Sequence, residues 1–211
     1  MEENTASISL NVFDDGPGEG TETFSYSLSD GETYDINADS SSFAITVDDS
    51  FIPVFGSVDG DVIEVEGSNQ LVFGGSSDDL IDASISSRGG NRIYGSGGDD
   101  TFILGTGDRA LGGDGDDEFY TLSGGGNTIT GGVGADQFWI ATAEIPGAAN
   151  IITDFTSGED VLGIAGLGIG FEDLSITQQD DNTLIAASGS NLAILQGISA
   201  ESLIADNFAF A

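Results

Sequence analysis

Four nonapeptides in one register constrain this chain more than any other feature of it. They are GGSSDDLID (74–82), GSGGDDTFI (95–103), GGDGDDEFY (112–120) and GGVGADQFW (131–139). Each reads G-G-x-G-x-D-x-U-x, where U is a large apolar residue, with Ser77 and Ser96 each standing in for a glycine. Six glycine-rich residues can turn through backbone angles that side chains forbid, which leaves main-chain carbonyls free to point at a ligand. The closing x-U-x alternates outward, inward, outward, as a short strand does. Turns of this kind stack into a solenoid in which each unit buries its U residue against its neighbours.

Weaker units lie between these copies. Residues 67–71, 89–93, 107–111 and 125–129 keep the glycine and an apolar residue, here taken as Leu71, Ile93, Leu111 and Ile129. They put Asn or Arg where the strong copies have Asp. Looser units extend the pattern through Asp61 before Ile63, Asn150 before Ile152 and Asp160 before Leu162. The sixth position then alternates: Asp61, Asn69, Asp79, Asn91, Asp100, Arg109, Asp117, Asn127, Asp136, Asn150, Asp160.

The strong copies resemble the calcium-binding nonapeptide of RTX (hemolysin-type) proteins. The resemblance implies a parallel β-roll in which two nonapeptides make one coil, so alternate turns share an edge. One edge then collects Asp61, Asp79, Asp100, Asp117, Asp136 and Asp160. The other collects Asn69, Asn91, Arg109, Asn127 and Asn150. A calcium ion takes six to eight oxygens. The expected ligands are the Asp carboxylates and the turn carbonyls: Asp61; Gly74, Ser76 and Asp79; Gly95, Gly97 and Asp100; Gly112, Asp114 and Asp117; Gly131, Val133 and Asp136. The stretch IITDFTSGEDVL (151–162) resembles the close of such rolls, which adds Asp154 and Asp160 as fixing the last coil, by calcium or by bonding backbone amides. On the opposite edge Asn can stack in amide ladders, and Arg109 can supply a positive charge where an ion would sit. All three basic residues, Arg88, Arg92 and Arg109, fall in the Asn-type turns. The expectation is about three to five calcium ions on one edge, with affinities on the order of 10⁻⁴ to 10⁻³ M, and few or none on the other.

Composition excludes several classes. There is no cysteine and no histidine, so disulfides and the usual zinc sites are out. A net charge of -34 repels phosphates, which argues against nucleic acid and against an anionic membrane surface. A hydrophobic fraction of 38% with thirteen Phe is too rich for a disordered acidic tail. No long apolar run spans a membrane. The opening Met1-Glu2-Glu3-Asn4 has neither the basic nor the apolar region of a secretory leader. Without His there is no Ser-His-Asp triad and no H-E-x-x-H, and no G-x-S-x-G occurs, so catalysis is not expected.

Residues 1–52 are of another kind. ISLNV (8–12), TFSYSL (23–28) and FAITV (43–47) alternate as half-buried antiparallel strands do. The string DDGPGEGTETFSYSLSDG resembles part of a Calx-β domain, an Ig-like sandwich. That resemblance implies acidic calcium-binding loops at Asp14, Asp15, Glu19, Glu22, Asp48 or Asp49, which solvated turn acids would match equally. Three or four strands cannot close a two-sheet core alone. After the roll (53–163), residues 164–211 alternate again at LSIT (174–177), TLIA (183–186) and LAIL (192–195), with short helical turns expected near 171–174 and 200–204. This reads as an antiparallel cap over the open end of the solenoid. The closing DNFAFA (206–211) resembles the uncleaved C-terminal signal of type I-exported RTX proteins, and a final edge strand would read the same way.

The sequence thus predicts an all-β chain: a partial Ig-like sandwich, a parallel β-roll and an antiparallel cap. The implied function is that of an extracellular calcium-binding structural module, secreted by type I machinery and folding on calcium. The alternative is a calcium-dependent self-assembling surface or filament protein, in which one subunit completes the sheet of the next. The outward residues Ile103, Tyr120 and Trp139, each following a U position, are expected to touch as an apolar stripe.

Overall fold

A computed structural model describes residues 21–27, 42–48 and 53–211 apart from Ser87. The chain forms two compact units, Met1–Ile52 and Pro53–Ala211. In the first, β1 (Thr21–Ser27) and β2 (Ser42–Asp48) pair antiparallel in the register Phe24↔Ile45 and Tyr26↔Phe43. The expected strand over 8–12 and the acidic residues Asp14, Asp15, Glu19 and Asp49 lie outside the described residues.

The second unit is a parallel β-roll. Its strands alternate between two sheets, because each glycine-rich turn reverses the chain after one short strand. One sheet holds β3 (Val54–Phe55), β5 (Leu71–Gly75), β7 (Arg92–Gly97), β9 (Arg109–Asp114), β11 (Thr128–Val133) and β13 (Asn150–Ile152). The other holds β4 (Val62–Glu64), β6 (Leu80–Asp82), β8 (Thr101–Thr106), β10 (Glu118–Gly125), β12 (Gln137–Thr142) and β14 (Val161–Ala165). Neighbours in both sheets are parallel and two strands apart in sequence, as a solenoid with two strands per coil requires.

The core is the space between the sheets. One inward row is Ile81, Phe102, Phe119, Phe138 and Leu162, all fully buried. The Phe rings stack coil upon coil, with centroids 4.6 Å apart for Phe102–Phe119 and 5.4 Å for Phe119–Phe138. The facing row is Val72, Ile93, Ala110, Ile129 and Ile152, also fully buried. This corrects the expected core at two coils. Val72 and Ala110 point inward, whereas Leu71 and Leu111 face outward. Strand alternation makes the choice all-or-none: a one-residue shift exchanges every inward side chain for an outward one.

The C-terminal strands extend both sheets. The segments β15 (Leu174–Gln179), β16 (Asn182–Ala187) and β17 (Ser190–Leu195) form an antiparallel meander whose last strand pairs parallel to β13. The final strand, β18 (Phe208–Phe210), pairs parallel to β14 as an edge strand. Single 3-10 turns occur at Phe171–Asp173, Ala200–Ser202 and Ala205–Asn207. Phe208 and Leu203 close the last coil, and Leu192 and Leu195 join the core cluster.

The outward residues Tyr120 and Trp139 stack at 5.9 Å and lie within 5° of parallel. The next residue along this column is Gly163. A Cβ there would overlap the indole, so the glycine is the seat on which Trp139 lies. Ile103, Tyr120 and Trp139 are all half-buried.

Candidate metal centre

The two edges of the roll solve the same backbone problem with different chemistry. Each coil leaves a main-chain N–H at its turn, and a side chain from the next coil accepts it. On one edge the acceptors are aspartates. Asp61 N donates to Asp79 Oδ1 at 2.8 Å, Asp79 N to Asp100 Oδ1 at 2.8 Å, and Asp100 N to Asp117 Oδ1 at 2.9 Å. Asp117 N then donates to Asp136 Oδ1 at 3.0 Å, and Asp136 N to Asp160 Oδ1 at 2.9 Å. The ladder uses one oxygen of each carboxylate. The Oδ2 atoms of Asp79, Asp100 and Asp117 are buried and have no hydrogen-bond partner.

What surrounds those free oxygens is more oxygen. A Cβ built on Gly74 would meet Asp79 Oδ2 and the Gly95 carbonyl oxygen; on Gly95, Asp100 Oδ2 and the Gly112 carbonyl; on Gly112, Asp117 Oδ2 and the Gly131 carbonyl. These glycines are required because the carboxylate occupies the volume of their missing side chain. The position-3 carbonyls of Asp114 and Val133 accept N–H bonds from Gly98 and Gly115, at 2.9 and 2.8 Å, and each keeps a second lone pair. Among the described residues no three acidic side chains converge on one point. A cation here would therefore draw on main-chain oxygens from two successive coils.

The electrostatics agree with the geometry. Burial pushes the Asp117 carboxyl up to about 7, and the charges of Asp100, Asp136 and Asp99 push the same way against the Asp100 N–H bond. Burial likewise raises Asp100 to about 6, with Asp79, Asp78 and Asp99 adding repulsion. Asp136 also rises to about 6, by burial first and then by Asp160, Asp154 and Asp116. These carboxylates are costly to ionise unless a positive charge joins them.

The opposite edge needs none. Here Gln70 N donates to Asn91 Oδ1 at 3.0 Å, Asn91 N to Asp108 Oδ1 at 2.9 Å, Asp108 N to Asn127 Oδ1 at 2.8 Å, and Asn127 N to Asn150 Oδ1 at 3.1 Å. The remaining polar atoms pair too. Asn127 Nδ2 donates to the Gly105 carbonyl at 3.2 Å and to Asn150 Oδ1 at 3.1 Å. Where the first edge sets a bare oxygen against a glycine carbonyl, this edge sets an N–H against one.

Two members of this ladder differ from the expected ones. Asp108, not Arg109, holds the ladder position, and Gln70 holds it in place of Asn69. Asn69 has φ 57 and takes the left-handed place that Gly90, Gly107 and Gly126 fill in the following coils. Arg109 sits on the outer face of its sheet, paired in register with Arg92, so no guanidinium replaces an ion. Asp108 is buried, and burial raises its pKa. Both its oxygens are bonded: Oδ1 by Asn91 N and Nδ2, and Oδ2 by Gly105 N at 3.0 Å.

The last coil is also tied by amides. Asp154 accepts Gly131 N and Gly132 N, each at 3.0 Å, and Asp160 accepts Thr156 N at 2.7 Å besides Asp136 N. In the first coil Asp61 Oδ2 accepts Ser57 N. Among the six aspartates of the edge, the free fully buried oxygens belong to the second, third and fourth, Asp79, Asp100 and Asp117.

A second acidic row was not expected. Asp99 N donates to Asp78 Oδ1 at 2.9 Å, Asp116 N to Asp99 Oδ1 at 2.8 Å, and Ala135 N to Asp116 Oδ1 at 2.8 Å. This exposed ladder runs beside the first and in the opposite sense. Its signal was the doublet Asp-Asp that three of the four nonapeptides carry.

No family model and no curated protein matches this chain. Among solved structures it is similar to the AlgE6R3 subunit of the Azotobacter vinelandii mannuronan C5-epimerase: TM-score 0.40, 24% identity, covering 74% of this chain and 81% of that one. The AlgE6R2 subunit of the same enzyme gives TM-score 0.34 and 24% identity over 76% of this chain and 93% of that one. An extracellular lipase, LipA from Serratia marcescens, gives TM-score 0.31 and 13% identity over 75% of this chain and 40% of the lipase. At these scores the chemistry of the edge rests on its own atoms.

Proposed function

We propose that this chain is a non-catalytic, extracellular calcium-binding structural module of the RTX kind, which folds on calcium after passing a type I secretion machinery. The observation that carries the reading is the set of buried Oδ2 atoms on Asp79, Asp100 and Asp117, each without a partner and each beside the glycine carbonyl of the next coil. A hard cation that accepts only oxygen ligands fits this donor set. Asp136 and its neighbours Gly131 and Val133 would provide a further, less enclosed position, in keeping with about three to five ions.

In calcium-poor surroundings the carboxylates repel one another and hold protons or water at the expense of the turns. Outside the cell, binding energy becomes folding energy. Each position draws on two coils, so occupancy of one favours the next. Circular dichroism and thermal melting of the full chain, chelated and then supplied with calcium, test this. Calcium should raise the β signal and the melting temperature sharply; identical spectra and melts in both states would end the proposal.

The second reading is assembly by strand addition at the first coil. It is favoured by the exposure of Phe55, Val58 and Val62, at 70%, 74% and 73%, around strands of only two and three residues. Sizing at high ionic strength, in calcium and in chelator, separates it: a module stays monomeric in both, and an assembly by strand addition grows with calcium.

A further inference from the structure

The outer face of the β3–β13 sheet carries a feature that neither ladder explains. Arg92 and Arg109 are both exposed and are direct partners on adjacent strands. Like charges so placed are unfavourable. The molecule has 37 acidic residues, yet from residue 71 to residue 153 neither outward column of this sheet contains one. The neighbouring column is apolar: Phe73, Tyr94 and Leu111. Phe55, Phe73 and Tyr94 stack at 5.2 and 5.1 Å, so the faces of the Phe73 ring are covered by its neighbours and only edges look outward. What the patch offers is two positive charges separated by one coil.

The matching pattern is on the same molecule. Asp78, Asp99 and Asp116 are exposed, one per coil, and their Oδ1 bonds to the next coil's backbone fix them at the coil repeat of about 4.8 Å. We propose that this row on a second copy of the chain docks on the arginine pair, Asp99 and Asp116 against Arg92 and Arg109, with the two roll axes aligned. Charge complementarity and equal spacing carry the inference, and it does not depend on calcium occupying the other row. The two patches are different surfaces, so the contact is heterologous. The docked pair keeps one free patch of each sign, and the assembly is open-ended. Exposed ion pairs are individually weak and screened by salt, so association should be concentration-dependent and lost at high ionic strength.

The test is sedimentation of the full chain in calcium, with circular dichroism confirming that every sample is folded. The wild type should gain mass with concentration at low salt. The double variant Arg92→Gln/Arg109→Gln should lose at least tenfold in association. So should Asp99→Asn/Asp116→Asn, which keeps the Oδ1 acceptors. The second variant lowers the net negative charge, so a generic repulsion effect would make it associate more strongly, and that result overturns the proposal. A mixture of the two variants should form a 1:1 dimer that does not grow, because each retains the patch the other lacks. A wild type monomeric at every concentration also overturns it, including one whose arginines bind a polyglutamate probe instead.

Discussion

Replacing Asp117 with Asn should change stability in opposite directions with and without calcium. The Asn keeps Oδ1, and so keeps the bond from Asp100 N. Its Nδ2 stands where the unpartnered Oδ2 faces the Gly131 carbonyl, and can donate there as Asn127 Nδ2 donates to Gly105. The carboxyl it replaces is pushed from 3.8 up to about 7. Each pKa unit corresponds to about 1.4 kcal/mol, so ionising Asp117 at pH 8 in the metal-free roll costs on the order of 4 kcal/mol. Part of that is shared repulsion with Asp100 and Asp136, so the single change should recover about 2–4 kcal/mol, or roughly 5–15 °C in melting temperature. In calcium the order reverses, because a charged ligand is gone. The assays are urea unfolding at pH 8 in chelator and in millimolar calcium, and calorimetric stoichiometry. An Asp117→Asn variant less stable than wild type in chelator, or one that binds as many ions as wild type, would refute the reasoning.

Three further outcomes follow from the same contacts. In chelator, stability should fall as pH rises: the folded pKa values of Asp100, Asp117 and Asp136 lie at about 6, 7 and 6, above the unfolded value. Their contribution is then complete below about pH 4 and lost by about pH 7, and a melting temperature that climbs over that range in chelator contradicts it. Asn127→Ala should cost about 2–4 kcal/mol, since it leaves Asp108 N and the Gly105 carbonyl unpaired, while calcium stoichiometry by calorimetry stays unchanged; a lost ion would mean that both edges bind metal. Gly163→Ala should cost about 1–3 kcal/mol by displacing the Trp139 indole. The emission of the chain's one tryptophan should shift to the red, and an unaltered spectrum would show that the seat is not needed.

Much of this architecture is written in the chain. The period of the nonapeptides dictates stacked turns, because the glycine-rich segment lets the chain reverse and the x-U-x that follows buries one residue. The row Ile81, Phe102, Phe119 and Phe138 and the antiparallel cap were legible from spacing, whereas the division into two edges was what the resemblance to RTX rolls implied. The Gly-Asx step before each strand also contained the register of the weaker coils, in Gly90-Asn91, Gly107-Asp108 and Gly126-Asn127. Reading by the size of the apolar residue favoured Leu111 over Ala110 and so moved the ladder position to Arg109.

Only the tertiary structure decided which oxygens are free. Asp108, Asp117 and Asp160 are the same residue type at equivalent positions, and burial raises the pKa of each. Backbone amides bond both oxygens of Asp108 and Asp160 but only one oxygen of Asp117. The Oδ1 bonds, which all three share, come from residues 17 to 24 positions away that only stacking brings within reach, so no local pattern reports them. The second amide comes from the aspartate's own turn, Gly105 before Asp108 and Thr156 before Asp160, and the difference between a structural aspartate and a candidate calcium ligand is whether the folded turn brings that N–H onto Oδ2.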